Sequence, residues 1–156
     1  MLLENERKKV IEIALKIKAE KLIPLTFGNF SLRDPETGYI CITPSGMPYD
    51  TLHPSDIVVV DVDNNIIDGE RKPSIETPLH TSMYKKRPDV NGVVHTHSTY
   101  CTAWACRDGG MPCITSEAAE LVGGKVNLAS FVPPGSKELA EVTSCLLYTS
   151  DAADEA

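Results

Sequence analysis

Glu76, in "KPSIETPLH" (72–80), and the pair His95 and His97, in "GVVHTHSTY" (92–100), are residue types that bind divalent cations. Side chains of an extended segment alternate in direction, so His95 and His97 project from one face, roughly 6–7 Å apart at the backbone. Thr96 faces the other way. Both imidazoles can then reach one ion, and Glu76, at the start of the preceding helix, can add a carboxylate oxygen. Two imidazoles and a carboxylate suit Zn2+, with Fe2+ and Mn2+ as lesser fits. An isolated His-x-His is often just two ordinary histidines, so the pair alone does not define a site. His80 lies four residues after Glu76 on the same helical face. It is a further ligand or, as preferred here, support for one. His53, in "TLHPSD", reads as a loop residue without a role.

Small polar residues in turns have a second reading. Gly28 and Asn29, Ser45 and Gly46, and Ser74 can offer backbone N–H groups and hydroxyls to a phosphate. Singly, each is ordinary turn chemistry. Their weight comes from occurring together with the metal pattern.

The elements that must position these residues follow from periodicity. Val10, Ile13, Ala14 and Ile17 fall at helical spacing, which predicts an amphipathic helix over 4–21. "IPLTFGNFSLRD" breaks that pattern and predicts a tight turn at Gly28-Asn29. "GYICITPSG" predicts a short strand entering a turn, and "DIVVVDVDNNIIDGE" predicts two strands around a polar turn. Residues 76–87 suit a helix with Pro78 in its first turn, "DVNGVVHTH" a strand, and "STYCTAWACRD" a helix capped by Ser98. Short elements follow around "SEAAELVGG", "KVNLASFVPPG" and "SKELAEV". Strands and helices mix without strict alternation, which favours a layered α/β or α+β sheet over a nucleotide-binding unit. Neither GxGxxG nor a P-loop pattern is present.

The totals narrow the class. A length of 156 residues suits one domain with a real core. A net charge of −7 argues against a nucleic-acid partner, which selects basic surfaces. No apolar run approaches the roughly 20 residues that span a bilayer, and "MLLENERKKV" is charged too early for a signal peptide. A cytoplasmic protein without a membrane partner is expected. Five cysteines, an odd number with no CxxC pair, predict reduced and mostly buried thiols.

Five segments, "GNFS" (28–31), "ITPSG" (42–46), "KPSIE" (72–76), "RPDVNGVVHTHS" (87–98) and "PPGSKELAE" (133–141), resemble the class II aldolase/adducin family in unbroken order. The resemblance spans about residues 5 to 143. It implies an α/β fold with a central β-sheet sandwiched between helices, and a homotetramer with active sites at subunit interfaces. It also implies a Zn2+ cofactor and a sugar-phosphate substrate such as an L-fuculose-1-phosphate-like ketose. By the same resemblance His95 and His97 match the zinc histidines, and Glu76 matches a metal ligand that is also the catalytic acid/base. Asn29, Ser45, Gly46 and Ser74, with Gly28 adjoining, fall on phosphate-binding positions.

Family enzymes of this kind break the bond between a carbinol carbon and the carbon beside a ketone, leaving an enediolate that zinc stabilises as a Lewis acid. Members that act as L-ribulose-5-phosphate 4-epimerases carry aspartate where this chain has Glu76, and use another near 117–120, where Ala119 stands. Both differences favour aldol cleavage over epimerisation. A dehydratase on the same scaffold is a further alternative, and a non-catalytic adducin-like interaction domain a minor one. Ile75 replaces the family's second serine before the glutamate, which removes one phosphate donor.

The end of the chain reads differently. "CLLYTSDAADE" is the translation expected of a transposase adapter from sequencing libraries, so the domain is taken as 1–144 and residues 145–156 as non-native. The family's third zinc histidine falls beyond "GSKELAE", and no histidine follows His97. The fold is therefore expected to be incomplete at its C-terminus, and these 156 residues to bind zinc weakly without useful activity.

Overall fold

The computed structural model describes residues 1–107 and 109–149. Helix α1 (Glu4–Ala19) is followed by strands β1 (Asn29–Arg33), β2 (Ile40–Ile42), β3 (Val58–Val60) and β4 (Ile66–Asp68), with 3-10 turns at Tyr49–Thr51 and Pro54–Asp56. Helix α2 (Thr77–Lys86), strand β5 (Gly92–His95) and helices α3 (Thr99–Ala105), α4 (Ser116–Val122) and α5 (Lys137–Thr149) come next. The strands form one sheet in the order β4-β3-β2-β1-β5, every pair antiparallel.

Alternation along the strands sorts side chains between two helical layers. Cys41 and Val59 join Phe30 beneath Val10 and Ala14 of α1. Ile40, Ile42, Val58 and Val60 point the other way and pack with Tyr84 of α2. Each large apolar side chain fully buried in this way contributes roughly 1.5–3 kcal/mol. The sheet is thus sandwiched between helices, as the family resemblance implied, and α5 packs on α2.

Several expectations are corrected. Gly28-Asn29 does not make an isolated turn: Asn29 opens β1, which pairs with both β2 and β5. Its alternating sequence, Asn29-Phe30-Ser31-Leu32-Arg33, sends Phe30 and Leu32 toward α1. In α1, Ile13 lies on the flank of the buried stripe and is 40% exposed, while the guanidinium of Arg7 takes a fully buried place. Arg7 is accommodated by donating to the carbonyls of Leu2, Pro54 and Ile57 and to the Asp68 carboxylate. Of the cysteines only Cys41 is buried; Cys101, Cys106, Cys113 and Cys145 are exposed, because they lie on α3, the loop after it and α5, not on the sheet. Ser98 precedes α3 but makes no side-chain cap, whereas Thr115 caps α4 by accepting from the Ala118 N–H. The short element expected at "KVNLASFVPPG" is neither helix nor strand among the described residues, only a bridge between Val126 and Met111. Helix α5 runs through the 144/145 boundary, and residues 150–156 lie outside the described residues. Among the described residues no helix is long and apolar enough to cross a membrane.

Candidate active site

Glu76 is the residue from which α2 starts. Ser74 accepts the Glu76 N–H through its hydroxyl (3.2 Å), and the Ser74 carbonyl accepts from the Thr77 N–H and hydroxyl. Pro78, in the first turn, has no N–H to leave unsatisfied there. The carboxylate is thereby aimed inward and left only 11% exposed. On the facing strand pair, Asn29 of β1 lies in register with His95 of β5. Two neighbours fix that register. Arg33 ties the α2–β5 loop to β1 by donating to the carbonyls of Tyr84, Pro88 and Val90. Gly28, at φ +90°, lets the His95 carbonyl approach so closely that a Cβ would stand 2.7 Å from its oxygen.

Glu76 Oε2 meets the Asn29 amide Nδ2 at 2.8 Å and forms an ion-pair contact with His95 Nδ1. Burial opposes the charge on Glu76, but these two donors outweigh it and hold the carboxyl at about 2, against its usual 4.5. A carboxylate accepts only, so both partners must donate. His95 Nδ1 therefore carries a proton, and only Nε2 of that ring is placed to offer a lone pair to a cation. Strand β5 ends at His95, so His97 is held beyond the pairing, yet the two rings lie side by side with centroids 4.9 Å apart. The His97 ring also lies against Phe27, tilted, with centroids 5.5 Å apart. Desolvation, and then the neighbouring His95, push its pKa down, which favours the neutral ring.

The donor set fits a divalent cation in kind: one ionised carboxylate and two adjacent imidazoles able to present lone pairs. No group of three histidine, cysteine or carboxylate side chains among the described residues is preformed as a coordination sphere. The Glu76–His95 contact must open before both residues can share an ion. His80 cannot join them as it stands. It is fully buried, and both ring nitrogens are used, Nε2 on Asn29 Oδ1 (2.5 Å) and Nδ1 on Ser31 Oγ (2.6 Å). Burial lowers its pKa to about 3. His53 sits apart, before the second 3-10 turn.

The loops carrying the remaining residues adjoin one another. Pro44 and Pro73 form an antiparallel bridge, flanked by Ser45 N–H donating to the Lys72 carbonyl and Ser74 N–H donating to the Thr43 carbonyl. Those two backbone donors are used within the protein. What the loops present is the exposed Ser45 with Gly46, and the hydroxyl of buried Ser74. The Asn29 side chain is turned to Glu76 and His80. Gly135, at φ +72°, brings the 133–136 loop onto the Ile75 carbonyl, with a would-be Cβ at 3.0 Å. Ser31 and Tyr84, absent from the sequence reading, belong to the same cluster, their hydroxyls 2.7 Å apart. Their signals were Ser31 two residues after Asn29 and Tyr84 four after His80.

Known proteins share this arrangement of chain. The 5-deoxy-D-ribulose 1-phosphate aldolase of Bacillus thuringiensis serovar kurstaki is 37% identical over 141 residues, covering 90% of this chain. This chain spans 66% of that relative's length. A solved L-fuculose 1-phosphate aldolase superimposes with a TM-score of 0.88 at 33% identity, over 92% of this chain and 68% of that one. YgbL of Escherichia coli follows at 0.82 and 28% identity, over 92% and 70%. The sequence model described as Class II Aldolase and Adducin N-terminal domain matches residues 8–153, nearly the whole chain. With fold, ordered motifs and this match in agreement, the chain belongs to the class II aldolase and adducin N-terminal domain family.

Proposed function

We propose that this chain carries the active-site residues of a zinc-dependent aldolase that cleaves a ketose 1-phosphate to dihydroxyacetone phosphate and an aldehyde. The observation that carries the reading is the buried, ionised Glu76 in contact with His95 beside His97. Two relatives whose names are aldolases of ketose 1-phosphates support the substrate class. His95, His97 and Glu76 hold the cation, which when bound supplies Lewis-acid stabilisation of the charge left by bond cleavage. Glu76 moves the proton at the donor carbon. As the resting carboxylate it is the base in the condensation direction, taking a proton from the donor carbon. In cleavage the carbinol hydroxyl gives up its proton as the carbon–carbon bond breaks, and Glu76 delivers one to the donor carbon. Ser45, Gly46 and Ser74 bind the phosphate, with Gly28 and Asn29 at the adjoining end of β1. The working protein is a homotetramer.

The test uses the intact, metal-loaded protein and a panel of ketose 1-phosphates, following dihydroxyacetone phosphate release. Chelation should abolish release and zinc restore it. Glu76→Gln should keep metal better than it keeps cleavage. Unchanged cleavage by that variant would remove Glu76 from the acid–base role, and a protein without bound metal would favour a non-catalytic interaction domain.

A further inference from the structure

A buried chain of hydrogen bonds runs from α2 through β1 and back to α2. Its links are Tyr84 OH to Ser31 Oγ (2.7 Å), Ser31 Oγ to His80 Nδ1 (2.6 Å), His80 Nε2 to Asn29 Oδ1 (2.5 Å) and Asn29 Nδ2 to Glu76 Oε2 (2.8 Å). Asn29, Ser31, His80, Glu76 and Tyr84 are all buried residues, so water competes little for these bonds. The acceptor-only carboxylate at one end fixes the direction of every link. Because Glu76 accepts, Asn29 must turn its NH2 to Glu76 and its carbonyl oxygen to His80. That oxygen accepts, so the imidazole is protonated at Nε2. Nδ1 of the neutral ring is then an acceptor for the Ser31 hydroxyl, and Ser31 in turn accepts from Tyr84. His95 Nδ1, whose proton goes to Glu76, also lies 3.3 Å from the same Asn29 oxygen, an acceptor that does not oppose it.

We propose that His80 is a positioning residue: as its Nε2–H tautomer it locks the Asn29 amide with NH2 toward Glu76, and so aims the carboxylate at the reacting carbon. This rests on the acid–base reading of Glu76 given above. Without the His80 donor the Asn29 amide is free to rotate and present its oxygen to Glu76, where two acceptors would face each other. The carboxylate would then lose its fixed aim while the phosphate-binding loops stayed in place. A fault in aim appears in kcat, and a fault in substrate binding in KM.

Two measurements on the intact, zinc-loaded protein decide the matter. Long-range 1H–15N correlation on the wild type should show His80 protonated at Nε2 and bare at Nδ1; the opposite tautomer overturns the proposal without touching the role of Glu76. Steady-state kinetics should show His80→Asn, too short to reach Asn29, losing about 10- to 100-fold in kcat with little change in KM. His80→Gln, whose amide nitrogen can stand where Nε2 stood, should recover much of that loss. Equal losses in both variants, or none in either, would mean His80 only fills space. If a variant does not fold, the wild-type tautomer still decides. Full activity in Glu76→Gln would instead sink the acid–base reading, leaving the tautomer result to stand alone.

Discussion

Replacing Gly28 by alanine separates two roles for that residue, phosphate contact and close packing of β5. The backbone there has φ +90°, and placing an L side chain in the left-handed region costs roughly 1–2 kcal/mol. The new Cβ would stand 2.7 Å from the His95 carbonyl oxygen and 2.8 Å from Ile23 Cγ2. Overpacking of this kind costs roughly 1–3 kcal/mol more. The expected destabilisation is about 2–5 kcal/mol, or about 4–20 °C in Tm for a chain of this length. The cheapest relief is for β5 to move off β1, which carries His95 away from Asn29 and Glu76, so kcat should fall with Tm. Scanning calorimetry at fixed protein and zinc concentration, beside steady-state kinetics, measures both. A Tm loss below about 2 °C, with only KM raised, would refute the packing argument and return Gly28 to phosphate contact.

Ser45→Ala should raise KM for the sugar phosphate about tenfold with kcat nearly held, as expected for one lost hydrogen bond to an anion. Ser74→Ala should lower kcat as well, because that hydroxyl also accepts from the Glu76 N–H. The depressed pKa of Glu76 makes a signed prediction for stability. Its contribution, about 3 kcal/mol, is fully present above about pH 4.5 and is lost as pH falls toward about 2. Urea midpoints from about pH 6 to about pH 3 should therefore converge for wild type and Glu76→Gln, and parallel curves would contradict the assignment. Arg7→Met should cost about 1–3 kcal/mol, since it strips the donor from the buried Ile57 carbonyl, while the part-buried carbonyls of Leu2 and Pro54 can turn to water. A urea-unfolding loss below about 1 kcal/mol would show that water replaces the guanidinium.

The elements shaped by ordinary burial were legible: α1 by its one apolar stripe, β2 and β3 as apolar runs buried on both faces, and α2 and β5 from the segments between turn signals. Strand β1 was not, although Asn29-Phe30-Ser31-Leu32-Arg33 alternates. Its polar face meets a buried polar cluster instead of solvent, and Gly28-Asn29 carries the composition of a turn. The link from Asn29 to Glu76 joins residues 47 apart, and that from Asn29 to His80 joins residues 51 apart. Only strand pairing and helix placement bring such residues together, and neither is written in local spacing. His80 was assigned a supporting role from its helical face alone; which atoms it supports depends on β1. The exposed cysteines misled because thiols are usually buried, whereas α3 and the loop after it pack little against the sheet.

Glu76, His80 and Tyr84 succeed one another every four residues along α2, an advance of about 6 Å per step. Asn29 and Ser31, which they meet, succeed one another every two residues along β1, an advance of about 6.8 Å. The near-equality of the two repeats lets three helix residues interleave with two strand residues without either element bending. It also makes segment length an inherited constraint. One residue inserted between Thr77 and Met83 would turn everything beyond it by about 100° and disengage Tyr84, with His80 too if the insertion came before it. Sequences built on this plan should vary in length at the Asp34–Gly38 turn, where the chain reverses on the surface between β1 and β2, and hold the count from Glu76 to Tyr84 fixed.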